Sequence, residues 1–96
     1  VYDCMLSAYK MTNKVIPIES VVKIDDTAAG MKCGNNAGCW TIGLYASGSN
    51  NYDELAASKP DFLVPSVAYV PEIIFEHIEP MLRRGMRPGQ GLIETI

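Results

Sequence analysis

Apolar positions along the chain fall into two rhythms. Short, nearly continuous runs occur at about residues 21–25 (Val21, Val22, Ile24), 40–45 (Trp40 to Tyr45) and 61–64 (Asp61-Phe62-Leu63-Val64). Their length and branched or aromatic content predict strands buried on both faces of a parallel sheet. Between them the spacing turns helical. Val1, Met5, Ala8 and Tyr9 share one face of a first helix that Asn13 stops, and Pro17 then gives an extended connector. Thr27 is an N-cap for a helix over Ala28 to Asn36, and Gly38 is its left-handed C-terminal cap. Gly30 and Gly34 each weaken that helix by about 1 kcal/mol relative to alanine, so their presence predicts close packing of helix on sheet.

Tyr52 to Ser58 reads as a short helix with Asp53 and Glu54 at its N-terminus. A longer helix is expected from about Pro71, with Ile73, Ile74, His77, Ile78 and Leu82 on one face. Pro80 falls inside that pattern and predicts a kink or restart. The Gly/Pro-rich residues 85–96 read as an irregular tail after a core at residues 1–84. Strand, helix and strand joined by short turns require a crossover and parallel pairing, so the fold class is α/β.

Composition narrows the function. The 96 residues suit one small domain or a piece of a larger one, and 48% hydrophobic content supports a core. A net charge of -3 without a basic stripe argues against nucleic acid as partner. No run approaches the ~20 apolar residues of a membrane span, and the first residues carry no secretory signal pattern. Three cysteines without a CxxC pair argue for a reducing, cytoplasmic setting. The chain does not open on Met, and its first residues read as mid-helix, so a piece of a longer protein is expected.

Candidate chemistry centres on Asp25 and Asp26 at the C-terminal end of the first strand, where open α/β sheets bind ligands. Such carboxylates suit Mg²⁺, which takes hard oxygen ligands from only one or two side chains. They also suit acid/base work, or a helix start favoured by the helix dipole. Consecutive strand residues face opposite ways, so one carboxylate should face the site while the other turns away or caps the helix. Lys23 reads as an edge or snorkelling lysine. Cys4, Cys33, Cys39 and His77 match no zinc spacing and read as free thiols and a helix histidine. Ser47 to Asn51 lies on the same rim and reads as a turn.

The run Val21-Val22-Lys23-Ile24-Asp25-Asp26-Thr27, Gly30, Asn36-Ala37-Gly38 and Trp40-Thr41-Ile42-Gly43 resembles the fourth motif region of the haloacid dehalogenase superfamily. Within it, the phosphonoacetaldehyde hydrolase (phosphonatase) group is most similar, with a weaker likeness through Pro60 to Val64 and Ser66 to Ala68. The resemblance implies the C-terminal part of a Rossmann-like, three-layer core. In the complete enzyme it implies an aspartate nucleophile, Mg²⁺, a small phosphonate or phosphorylated substrate, and carbon–phosphorus cleavage through an aspartyl-phosphate. By position Asp26 matches the metal ligand, Asp25 is second choice, and Thr27 lies on the substrate rim. Asp25 stands where many relatives have glycine, and Gly30 where many have a further acid. Lys23 is not the cap-domain Schiff-base lysine of such enzymes.

The nucleophile motif, the Ser/Thr motif and the cap of this superfamily find no match, so no catalytic residue is expected within the chain and it should be inactive alone. The Val21–Ile24 edge is expected to pair with the N-terminal half or with another copy of the chain. The other readings are a phosphomonoesterase, phosphoglycolate phosphatase-like or phosphoglucomutase-like enzyme of the same superfamily, and a non-catalytic receiver-like or interaction module. A receiver needs an acceptor Asp at a later strand end, whereas Asp61 begins its strand.

Overall fold

In a computed structural model, residues 2–46, 51–89 and 94–95 are described. Four strands form one parallel sheet in chain order: β1 (Val22–Asp25), β2 (Trp40–Leu44), β3 (Phe62–Val64) and β4 (Glu94–Thr95). The register sets Val22 beside Trp40, Ile24 beside Ile42, and Ile42 beside Phe62. α1 (Tyr2–Thr12) precedes the sheet, α2 (Ala28–Ala37) links β1 to β2, and α3 (Tyr52–Ala57) links β2 to β3. The last helical run comprises a 3₁₀ turn at Val67–Tyr69, α4 (Val70–Glu72), a π-helical stretch at Ile73–Ile78 and α5 (Glu79–Arg83).

Strand alternation sorts the apolar residues into two cores. On one face Trp40, Ile42, Phe62 and Val64 pack with Val70, Ile73 and Ile78 of the last helical run. On the other, Met31 of α2, Leu55 of α3 and Leu63 form a smaller cluster. The result is three layers, helices on both faces of a parallel sheet, as the α/β pattern requires.

The helix signals hold at residue level. The Thr27 side chain accepts from Gly30 N–H, and Gly38 closes α2 at φ 85°. Asn13, at φ 56°, donates its N–H to the Tyr9 carbonyl over 2.7 Å and stops α1. A Cβ on Gly34 would sit 2.5 Å from Thr41 Cγ2 and 3.0 Å from Lys23 Cβ, so α2 lies directly on the sheet there. Gly34→Ala is therefore expected to destabilise by about 1–3 kcal/mol despite its better helix propensity, because hydrogen bonds of the Thr41 hydroxyl hold its methyl in place and Lys23 Cβ sits on the strand itself. Urea unfolding of the variant measures it.

Pro80 explains the π-helical stretch. A proline ring clashes with the carbonyl four residues back and lacks an N–H. Just before it, Glu79 N–H reaches Ile74 O, one residue further than an α-helix allows. Widening the turn relieves the clash without breaking the run.

Three expectations change. The first strand was expected to be buried on both faces; instead its residues are half-buried and Ile24 is 37% exposed. Among the described residues β1 pairs only with β2, so it is an edge strand and lacks a neighbour's side chains on one flank. The tail was expected to be irregular, yet Glu94–Thr95 pairs in parallel with β3. Hydrogen-bonding capacity along the free flank of β3 organises those two residues, which carry no strand pattern of their own. Finally, α1 forms as expected, but Met5 and Ala8 are only half-buried and Leu6, Tyr9 and Met11 are exposed. Val1 lies outside the described residues, as do residues 47–50 of the rim turn.

Candidate active site

β1 delivers Asp25, Asp26 and Thr27 to the C-terminal end of the sheet, where α2 begins. Asp25 and Lys23 are two residues apart on one strand and so share its α2-facing side. Lys23 Nζ lies 3.2 Å from Asp25 Oδ2. Asp25 Oδ1 accepts two further bonds, from Thr27 N–H and from the Thr27 hydroxyl, each 3.0 Å. The same hydroxyl accepts from Gly30 N–H at 3.0 Å. Thr27 thus relays between the strand-end carboxylate and the first turn of α2.

Burial raises the Asp25 pKa, but the Thr27 hydroxyl, Lys23 and the Thr27 amide together outweigh it, and the net shift is downward. Asp25 is ionised and fully engaged. Asp26 is different. It is half-exposed, and its carboxylate makes no hydrogen bond or ion pair among the described residues. β1 ends at Asp25, and Asp26 follows it in a bend. Asp25 turns back to the helix start, whereas the Asp26 carboxylate has no partner among the described residues.

The sheet's opposite end carries a second polar centre that the pattern did not reveal. Asp61, just before β3, is 4% exposed. Its Oδ2 accepts from Thr41 N–H at 2.9 Å and from the Thr41 hydroxyl at 3.3 Å, and its Oδ1 accepts from Gly89 N–H at 2.9 Å. Asp61 N–H donates to Thr41 Oγ1, and Asn35 Nδ2 donates to the carbonyls of Ser58 and Lys59. This network ties β2, β3, α2 and the start of the tail together, at the end away from Asp26. Asp61 precedes β3 and does not end it, so an acceptor Asp at the C-terminal end of that strand is absent among the described residues.

Burial pushes the Asp61 pKa up more than its hydrogen bonds from Gly89 and Thr41 pull it down. Its folded pKa therefore exceeds its unfolded one, and the folded state binds more protons in the interval between them. Stability should fall as pH rises from the ordinary carboxylate range through the raised Asp61 value. Asp25 acts oppositely, its contribution being lost as pH falls below the ordinary range. Urea unfolding across acidic pH should show the Asp61 slope in the parent and not in Asp61→Asn.

The sulfur and imidazole groups stay apart from this chemistry. Cys4 and Cys33 are exposed, and Cys39 is buried with its thiol directed to Gly34 O at 3.4 Å. Burial raises the Cys39 pKa and keeps it a thiol. The His77 ring packs beside Phe62, with centroids 5.9 Å apart. Among the described residues, no three His, Cys, Asp or Glu side chains converge to hold a metal ion. Asp26 alone fits Mg²⁺ only as one ligand of a shell completed by other groups and water, which is how that ion is commonly bound. No helix among the described residues is long and apolar enough to cross a membrane.

A parallel α/β sheet, with a capped helix springing from an acidic strand end, defines a partial Rossmann-like core. Sequence comparison adds a likeness to particular proteins. The phosphonoacetaldehyde hydrolase of Aliivibrio salmonicida is 33% identical over 96 aligned residues, covering 77% of this chain and 35% of that protein. Those of Vibrio campbellii and Bordetella pertussis are each 31% identical, also over 77% of this chain. Over that stretch the chain is similar to phosphonoacetaldehyde hydrolases, and it spans about a third of their length. No family model and no solved structure matches it.

Proposed function

We propose that this chain is the C-terminal part of the core of a phosphonoacetaldehyde hydrolase-like enzyme, and that Asp26 is a Mg²⁺ ligand in that enzyme. The observation that carries this reading is the free Asp26 carboxylate at the end of an edge strand, beside an Asp25 already engaged by Lys23 and Thr27. The names of the relatives supply the substrate class. Mg²⁺, when bound, would neutralise charge developing on the phosphoryl oxygens. Asp26 would hold the ion at the strand end, and Thr27 would fix the rim on which the substrate rests. The nucleophilic aspartate, aspartyl-phosphate formation and release of phosphate and acetaldehyde belong to the remainder of such an enzyme.

The same reading supplies a neighbour for the open flank of β1. Val22 to Asp25 present unpaired backbone groups there among the described residues, and Ile24 is exposed. Cys4 of α1 forms a shallow hollow with Val21, Val22 and Lys23 beside it. In the proposed enzyme a strand of the N-terminal half lies against this edge and brings the nucleophile next to Asp26; a second copy of the chain is the alternative occupant. Three free thiols support a reducing, cytoplasmic location.

Mg²⁺-dependent phosphate release from phosphonoacetaldehyde by the full-length protein tests the proposal. Turnover of phosphate monoesters alone would reassign it to a phosphatase of the same superfamily. Failure to turn over either class, with or without Mg²⁺, would favour an interaction module.

A further inference from the structure

Asp25 and Gly30 occupy one another's space. A Cβ built on Gly30 would run into the Asp25 carboxylate, meeting its Oδ2, Cγ and Cβ. A side chain at position 30 therefore projects into the volume that the Asp25 carboxylate fills. That carboxylate lies over the first turn of α2, its Oδ1 holding the Thr27 amide and hydroxyl and its Oδ2 holding Lys23. These bonds bracket Asp26: the residue before it is tied to the residue after it.

We infer that Asp25 is a positioning residue, which locks the strand-end turn so that Asp26 alone is presented to the cation, and that it can do so only because residue 30 is glycine. This rests on the proposed Mg²⁺ role of Asp26 and refines it. Asp25 has no oxygen free of protein partners, whereas Asp26 has no protein partner among the described residues. A ligand and its support are thereby distinguished within one acidic pair. The bracket also explains why two adjacent carboxylates can coexist: Lys23 compensates the charge of one, and the other is half-exposed to solvent.

Two measurements on the full-length protein separate the claims. The first is Mg²⁺ binding by isothermal titration calorimetry, with circular dichroism as a check on folding. Asp25→Asn keeps an oxygen for Thr27 and loses only the Lys23 ion pair. Its Mg²⁺ affinity should stay within about fivefold of the parent, the range expected of a single solvent-accessible pair such as this half-buried one. Asp25→Ala removes the bracket and should weaken binding about 10–100-fold, the usual effect of losing support behind a metal ligand. Asp26→Asn should abolish binding. An Asp25→Asn loss as complete as that of Asp26→Asn would make Asp25 a ligand and overturn the inference. So would an Asp25→Ala protein that binds Mg²⁺ like the parent.

The second measurement needs no metal. Gly30→Ala should lower the melting temperature of the parent, and the same change in an Asp25→Gly background should be neutral or stabilising, because the obstructing carboxylate is gone. Equal effects in both backgrounds would show that the two positions do not share space. If Asp26→Asn kept full Mg²⁺ affinity, the metal reading would fall, while this pair of melting curves would still decide whether Asp25 and Gly30 are coupled.

Discussion

On the proposed role of Asp26, replacing it by asparagine is expected to abolish Mg²⁺-dependent phosphate release by the full-length protein while leaving the fold intact. Asparagine keeps the shape and one oxygen but removes the charge that a hard dication needs. Loss of metal-assisted charge stabilisation amounts to several kcal/mol in the transition state, so a rate decrease on the order of 10³-fold is expected. Stability should hardly change, since the Asp26 side chain bonds to nothing among the described residues and is half-exposed. The decisive measurement is steady-state phosphate release across a Mg²⁺ titration, paired with thermal melting. Retained activity at saturating Mg²⁺ would remove Asp26 from the metal shell; lost activity together with a collapsed melting temperature would give it a structural role instead.

The largest stability effect is expected at Trp40. It is 1% exposed, its ring lies 6.3 Å from that of Phe62, and its indole N–H donates to Glu19 O at 2.9 Å. Trp40 therefore joins the principal core to the connector that leads into β1. Trp40→Ala should cost about 3–5 kcal/mol through lost burial and the cavity left behind. Domains of this size have total stabilities toward the lower end of about 5–15 kcal/mol, so that loss should leave the variant only marginally stable. Trp40→Phe keeps much of the packing and leaves the Glu19 carbonyl without its donor, and about 1–2 kcal/mol is expected. Urea denaturation of the two variants separates packing from the hydrogen bond. Little change in Trp40→Ala would mean that the sheet holds without this anchor.

Much of this arrangement was legible residue by residue. Thr27 as N-cap, Gly38 and Asn13 as stops and Pro80 as a disruption depend on backbone chemistry within a few residues, which a sequence carries explicitly. Gly30 and Gly34 were legible as close approaches, because glycines in a helix interior need a reason. The identity of the approaching groups was not. That Gly34 faces Thr41 and Gly30 faces Asp25 depends on how α2 lies across the sheet. The Asp61–Thr41–Asn35 network was missed because its members are 20 and 6 residues apart and meet only through the β2–β3 pairing. A buried Asp beginning an apolar strand was the available signal, since such a carboxylate must find donors.

The sequence by itself determined the order of the first three strands and the helices between them, the caps of α2, and the placement of an acidic pair where a strand runs into a helix. These follow from local backbone preferences and from hydrophobic period, both properties of neighbouring residues. Tertiary structure decided how that pair divides its work. Only when Lys23, Thr27 and Gly30 are brought around one carboxylate does Asp25 become engaged, while Asp26 keeps no partner among the described residues. Tertiary structure also decided that β1 is an edge, since the burial of a strand is set by its neighbours in the sheet and not by its own residues.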